Sequence, residues 1–210
     1  MNRKHPASFL AVLVIGILIG LAGVVAAAGQ FIGVAADEAL RGVNESLLEG
    51  TDMPPAEREA QRRLNEATRA YAARWLWPNL IHQALNLPAS LLLAVACILL
   101  LMWKERGLRL LVVAAVANAV VDLGGTVKNV LAALDMGELT TAITASMPAG
   151  QGAEEATRFV KLVTEASLMA GVAFGVFLLL VKLAYYLWAV LSTRRPAIRA
   201  LYRADPFDGA

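Results

Sequence analysis

The 210-residue chain is poor in the side chains that carry most protein chemistry. It has one cysteine, Cys97, and two histidines, His5 and His82. A single cysteine excludes an internal disulfide or a dithiol redox pair. Two histidines exclude a His-rich metal cluster or paired bis-histidine haems. Charge is scarce as well, at 17% of residues, where a soluble domain carries about a quarter. The net charge of +2 points to no polyanionic partner, so nucleic acid is not expected as a ligand. Also missing are a Gly-x-Ser-x-Gly elbow, a phosphate-binding Gly-Lys-Ser/Thr loop and a His-Glu-x-x-His pair. With no nucleophile–base or metal constellation, the reading is a non-enzymatic protein that implies no cofactor.

What replaces the charge is Ala, Leu and Val. The chain is 58% hydrophobic with a mean hydropathy of +0.59, which excludes a disordered chain and an ordinary cytosolic enzyme. A helix needs about 20 mainly apolar residues to cross a bilayer, and four segments qualify: about 8–28, 84–103, 110–134 and 166–190. The first has a basic lead-in and the Ala26-Ala27-Ala28 stretch of a cleavage site. Its apolar run exceeds the roughly 7–15 residues of a signal sequence, so a retained helix is expected. The fold class is all-α: a polytopic membrane protein with four transmembrane helices in two helical hairpins, forming a single domain over 1–210.

The few charges orient it. Arg3 and Lys4 precede the first span, Lys104, Arg106 and Arg109 join the second to the third, and Arg194, Arg195, Arg199 and Arg203 follow the fourth. Four crossings put these clusters on one side, which the positive-inside rule makes cytoplasmic. The segment after the third span is acidic, with Asp135, Glu138, Glu154 and Glu155. Aromatic residues agree with the placement. Trp103, Trp188, Tyr185 and Tyr186 fall at the inner ends of the spans; Trp75 and Trp77 fall at the outer boundary. Ala/Arg-rich usage points to a bacterial inner membrane, multi-pass, with both termini cytoplasmic.

Outside the spans, 30–80 reads as an outer helical hairpin. One stripe is Ala36, Leu40, Val43 and Leu47; another is Ala60, Leu64, Ala67, Tyr71 and Trp75. Gly50 stops the first helix, Asp52 with Pro54-Pro55 starts the next, and Pro78 and Pro88 should bend or interrupt it. A second outer segment, 135–165, repeats the plan: the third helix continues through Met136–Ser146, turns at Pro148–Gly152 and returns from Glu154. The echo of Asn65-Glu66-Ala67-Thr68 in Thr164-Glu165-Ala166-Ser167 leaves a duplicated hairpin open. The cytoplasmic tail is 193–210.

Asn118, Asp122, Gly125 and Asn129 share one face of the third span. A polar stripe there must turn inward, because lipid offers no hydrogen-bond partners. Counting ~1.5 Å per residue from Leu110 sets Asp122 about 18 Å along the span, and Lys182 about 12 Å from Val190. A lysine stem covers most of that difference in depth, so Asp122 and Lys182 form a candidate buried pair. Such groups mark ion paths, proton relays or structural pairs; the alternative for Lys182 is snorkelling to the interface. Gly16-x-x-x-Gly20 and Gly171-x-x-x-Gly175 mark close helix packing, within the chain's own bundle ahead of a homodimer. His82, with Gln83 and Asn86, reads as an interfacial hydrogen bonder, and Cys97 as a small apolar residue.

With a third reading, a membrane enzyme, disfavoured for lack of a nucleophile–base or metal constellation, two functions compete. One is a structural or accessory subunit of a membrane complex, docking through Ala-rich outer hairpins that bury little area alone. The other is a small oligomeric transporter or channel element using Asp122 as a proton or cation site. Expected partners are the bilayer, other membrane subunits or a second copy, and anionic lipid heads at Arg194, Arg195 and Arg199.

Overall fold

A computed structural model describes residues 5–49, 54–145 and 153–203. All regular structure among them is helical: α1 (Ala7–Glu49), α2 (Pro55–Leu101), α3 (Arg106–Leu134), α4 (Gly137–Ala145), α5 (Ala153–Arg194) and α6 (Pro196–Arg203). Four of these, α1, α2, α3 and α5, contain stretches long and apolar enough to cross a membrane. Prolines set three of the starts. Pro6 precedes α1 and its carbonyl accepts from the Phe9 and Leu10 amides, while Pro55 and Pro196 occupy the first helical positions of α2 and α6, where a missing N–H costs nothing. Pro196 also explains why α5 stops, since the residue before a proline is pushed out of the helical region.

The elements depart from the sequence reading in three places. α2 is continuous for 47 residues, so neither Pro78 nor Pro88 interrupts it; an apolar helix tolerates proline where neighbouring groups take up the freed carbonyls. The third helix does not run on past Leu134. Asp135 and Met136 form a turn, with the Met136 amide donating to the Ala133 carbonyl at 3.3 Å, and α4 begins at Gly137, a residue about 1 kcal/mol worse than Ala inside a helix. Tyr185 and Tyr186, expected as interfacial aromatics, turn inward and are buried against the rest of the chain. The expected Gly50 stop, Asp52 and the Pro148–Gly152 turn lie outside the described residues, as do the side chains of Leu40, Val43 and Leu47.

The chain divides into two units. The first takes 5–30, 82–125 and 178–203 from the described residues and holds every side chain that is buried among them. Its core is built from Phe9, Val12 and Leu13 of α1, Leu93, Cys97 and Leu100 of α2, Leu111 and Ala115 of α3, and Tyr185 and Ala189 of α5. Small residues let the backbones meet. A Cβ on Gly20 would lie 2.7 Å from the Ser90 carbonyl oxygen and 3.0 Å from Ala94, and one on Gly16 would meet Tyr185 and the Cys97 sulfur. Gly171 and Gly175 behave oppositely: among the described residues, nothing beyond their own helix lies within 4 Å of where their Cβ atoms would be. Among the described residues this second small-residue pair packs against no other helix, whereas the sequence reading expected packing within the chain's own bundle.

The second unit takes 31–81, 126–145 and 153–177 from the described residues. None of its described side chains is buried. α2 and α3 are joined there by polar contacts instead. The Tyr71 hydroxyl donates to the Ala132 carbonyl at 3.1 Å. Arg74 and the Trp75 indole donate to the two Asp135 oxygens at 2.6 and 3.0 Å, and Lys128 donates to Asn79.

At one end of the first unit, α2 closes with its carbonyls capped in sequence. The Lys104 amide donates to the Leu99 carbonyl and the Trp103 amide to Leu100, the Schellman pattern, with Trp103 in the left-handed region at φ 60°. A bulky residue is strained there, and its neighbours hold it. The His5 ring stacks on Trp103 with centroids 3.8 Å apart and planes 7° from parallel, and Tyr202 lies against Trp103 at 5.6 Å while donating to the Leu100 carbonyl at 2.9 Å. Burial holds His5 below its ordinary imidazole range, and its Nε2 is buried without a hydrogen-bond partner among the described residues. A histidine lowered by folding takes up its proton first in the unfolded chain, so stability is full above about pH 6.5 and falls as pH drops below it.

Two outcomes follow for the purified chain in detergent. Gly20→Ala, which drives a Cβ into a backbone oxygen, lowers the melting temperature by about 4 °C or more, whereas Gly171→Ala leaves it unchanged. Acidification from neutrality to about pH 5 lowers the melting temperature, and His5→Phe, which keeps a ring for Trp103 and has no proton to gain, shrinks that drop.

Candidate functional site

Within the apolar stretch of α3 one carboxylate is held by two donors from α5. Lys182 Nζ donates to Asp122 Oδ1 at 2.6 Å, and the Tyr186 hydroxyl donates to Asp122 Oδ2 at 2.7 Å. Lys182 and Tyr186 are four residues apart, which sets them one above the other on one helix face. They grip the carboxylate like a clamp. The Asp122 side chain is 15% exposed and that of Lys182 39%, while Tyr186 is 3% exposed. The pair is neutral, and the phenol adds a hydrogen bond without adding charge.

Polar side chains from α2 and α3 make the neighbouring contacts. Asn118 is 3% exposed and its amide donates to the Ala89 carbonyl at 2.7 Å and to Ala114 at 2.8 Å. Asn86 donates to the Gly23 carbonyl at 3.3 Å and accepts from Ser90 at 3.2 Å, which ties α1 to α2. The His82 imidazole lies over Gly125, in the space a Cβ would take. Gly125 is three residues beyond Asp122, so the glycine is what lets a histidine ring approach α3 there. Tyr185 donates to the Val12 carbonyl at 3.0 Å, joining α5 to α1.

No family model, curated protein or solved structure matches the chain.

The geometry therefore stands alone as a guide to the site. It pairs Asp122 with Lys182, whereas Asn118 is buried apart from them against the Ala89 carbonyl of α2. It leaves out Asn129, which is exposed. In the second unit α2 meets α3 at Lys128, Ala132 and Asp135, and Asn129 sits about 100° round the helix from Lys128, off that contact line. Among the proposed interfacial anchors, Trp77 is 68% exposed, Trp75 is bonded to Asp135, Trp103 stacks on His5, and Trp188 packs against the core. Tyr186 is the site residue that sequence reasoning missed. Its one signal is the four-residue spacing from Lys182, and its closeness to the helix end reads as an interfacial aromatic.

Chemically, the arrangement favours a fixed carboxylate. Each oxygen already accepts a charged or neutral donor, and releasing Lys182 would leave an ammonium unpaired in apolar surroundings. No group of three or more His, Cys, Asp or Glu side chains among the described residues is placed to hold a metal ion.

Removing the acceptor charge should therefore cost stability. Asp122→Asn lowers the detergent melting temperature by about 4–8 °C, an estimate of ~2 kcal/mol reduced for the partial exposure of Lys182. Tyr186→Phe removes one neutral hydrogen bond and lowers it by about 2–4 °C. Equal melting temperatures for both variants and the wild type would show that the clamp holds nothing.

Proposed function

We propose that the chain is an integral inner-membrane protein of four spans with cytoplasmic termini, acting as a non-enzymatic accessory subunit that docks a partner through its outer helices. The observation that carries this reading is the contrast between the two units. The first buries a core, whereas the described residues of the second bury none. A helical segment with no buried face of its own gains most from a partner. On α5 no residue from Thr157 to Phe177 is buried, and Phe159, Leu162, Met169, Phe174 and Phe177 are each about three-fifths exposed or more. In a bilayer the inner part of that stretch faces lipid or another helix, and Gly171 with Gly175 leaves room for close approach.

The second reading, a transporter or channel element with Asp122 in the conduction path, is weakened by the clamp, because a conducting carboxylate must exchange its partners. The positive-inside distribution supports the orientation: Lys104, Arg106 and Arg109 share a side with the Arg194–Arg203 tail if α1, α2, α3 and α5 each cross once.

Purification from native membranes in a mild detergent separates the readings. A stoichiometric partner should co-purify, and hydrogen exchange of 31–81 and 153–177 should slow in the complex relative to the isolated chain. A chain that purifies alone, stays monodisperse and supports a cation- or proton-driven flux in vesicles that Asp122→Asn abolishes would replace the accessory reading with the transport one.

A further inference from the structure

The basic tail does not hang free. α6 folds back on the first unit: Ile198 and Tyr202 are 4% and 7% exposed, and the Tyr202 hydroxyl is bonded to the Leu100 carbonyl. Apolar residues face the bundle while Arg199 is exposed. This packing shapes a cleft of about 400 Å³ lined by Glu105, Leu108, Arg109, Val112, Thr193 and Arg199, within the ~300–1,000 Å³ of small-molecule sites.

Its polar groups are arranged for an anion. Arg199 Nε donates to the Thr193 carbonyl at 3.2 Å, which fixes the guanidinium and leaves its terminal amino groups uncommitted. Arg109 makes no hydrogen bond or ion pair among the described residues. Two guanidinium groups at one cleft repel unless an anion lies between them, and the planar fork suits a phosphate. The Thr193 hydroxyl is already donated to the Val190 carbonyl, so the arginines are the donors. Glu105 also lines the cleft, at its rim.

The cleft also has an apolar wall. Leu108 and Val112 are half-buried and lie four residues apart on α3, leading from the charged rim into the apolar stretch of that helix. Free phosphate has no use for such a wall; an acyl chain does.

We propose that this cleft binds the phosphodiester head of an anionic phospholipid, held by Arg109 and Arg199, with an acyl chain along Leu108 and Val112. The inference rests on the membrane reading. It differs from a general attraction of the tail for the bilayer, because Arg194 and Arg195, although exposed, do not line the cleft.

The test is lipid-dependent melting of the delipidated full-length chain in detergent, with native mass spectrometry counting bound lipid. Phosphatidylglycerol should raise the melting temperature by about 5 °C at saturation and persist as a single adduct. Phosphatidylethanolamine, phosphatidylcholine and inorganic phosphate should raise it by less than half as much. Arg109→Gln with Arg199→Gln should abolish the increment measured from that variant's own baseline, whereas Arg194→Gln with Arg195→Gln should keep it. Equal shifts from zwitterionic lipids, an equal shift from inorganic phosphate, survival of the increment in the cleft variant, or its loss in the tail variant would each overturn the proposal. A chain washed from membranes by alkaline carbonate would instead overturn the membrane reading on which it rests.

Discussion

A carboxylate on an apolar helix must find its donors on a neighbouring helix, and the packing of α3 is arranged around that demand. Asp122 meets it with one cation and one neutral donor, Lys182 and Tyr186, from adjacent turns of α5. Because the two donors are stacked along one face, they fix both the distance between α3 and α5 and their relative slide. Non-directional apolar packing sets neither so sharply. Tyr185, the next residue, then carries α5 to the Val12 carbonyl of α1.

The same solution recurs just past the C-terminal end of α3. Asp135 takes Arg74 on one oxygen and the Trp75 indole on the other. In each case a charged partner is joined by an aromatic donor, which satisfies the second oxygen without disturbing the charge balance. The α1–α2 contact solves a different problem. Gly16 and Gly20 bring backbones together, and small or polar residues of α2, Ser90, Ala94 and Cys97, fill the gap. The first unit thus combines close small-residue packing with a few directional bonds.

Much of this was legible in the sequence because it follows from length and charge. Four apolar stretches are each long enough for a spanning helix, and the two lone charges within such stretches, Asp122 and Lys182, have few partners other than each other. What was hidden depends on side-chain direction. Tyr186 looks like an interfacial aromatic until α5 is seen turning it inward. Trp103 looks the same, yet it caps α2 in a left-handed conformation that only its His5 and Tyr202 neighbours make tenable. The tail reads as a run of arginines, but Pro196 restarts it as a helix whose buried face closes a cleft. Asn129 shows the converse: the 4-3-4 spacing is real, but the residue is exposed among the described residues. Of the two outcomes expected at Pro78 and Pro88, a bend or an interruption, the interruption does not occur, because α2 continues through both.

The central claim is that Asp122 and Lys182 act on each other as a structural pair. A double-mutant cycle of Asp122→Asn and Lys182→Met, read as melting temperature in detergent, tests it most directly. The double variant should melt closer to the wild type than the sum of the single losses, because the second change removes the charge that the first leaves unpaired. Strictly additive losses would contradict the account.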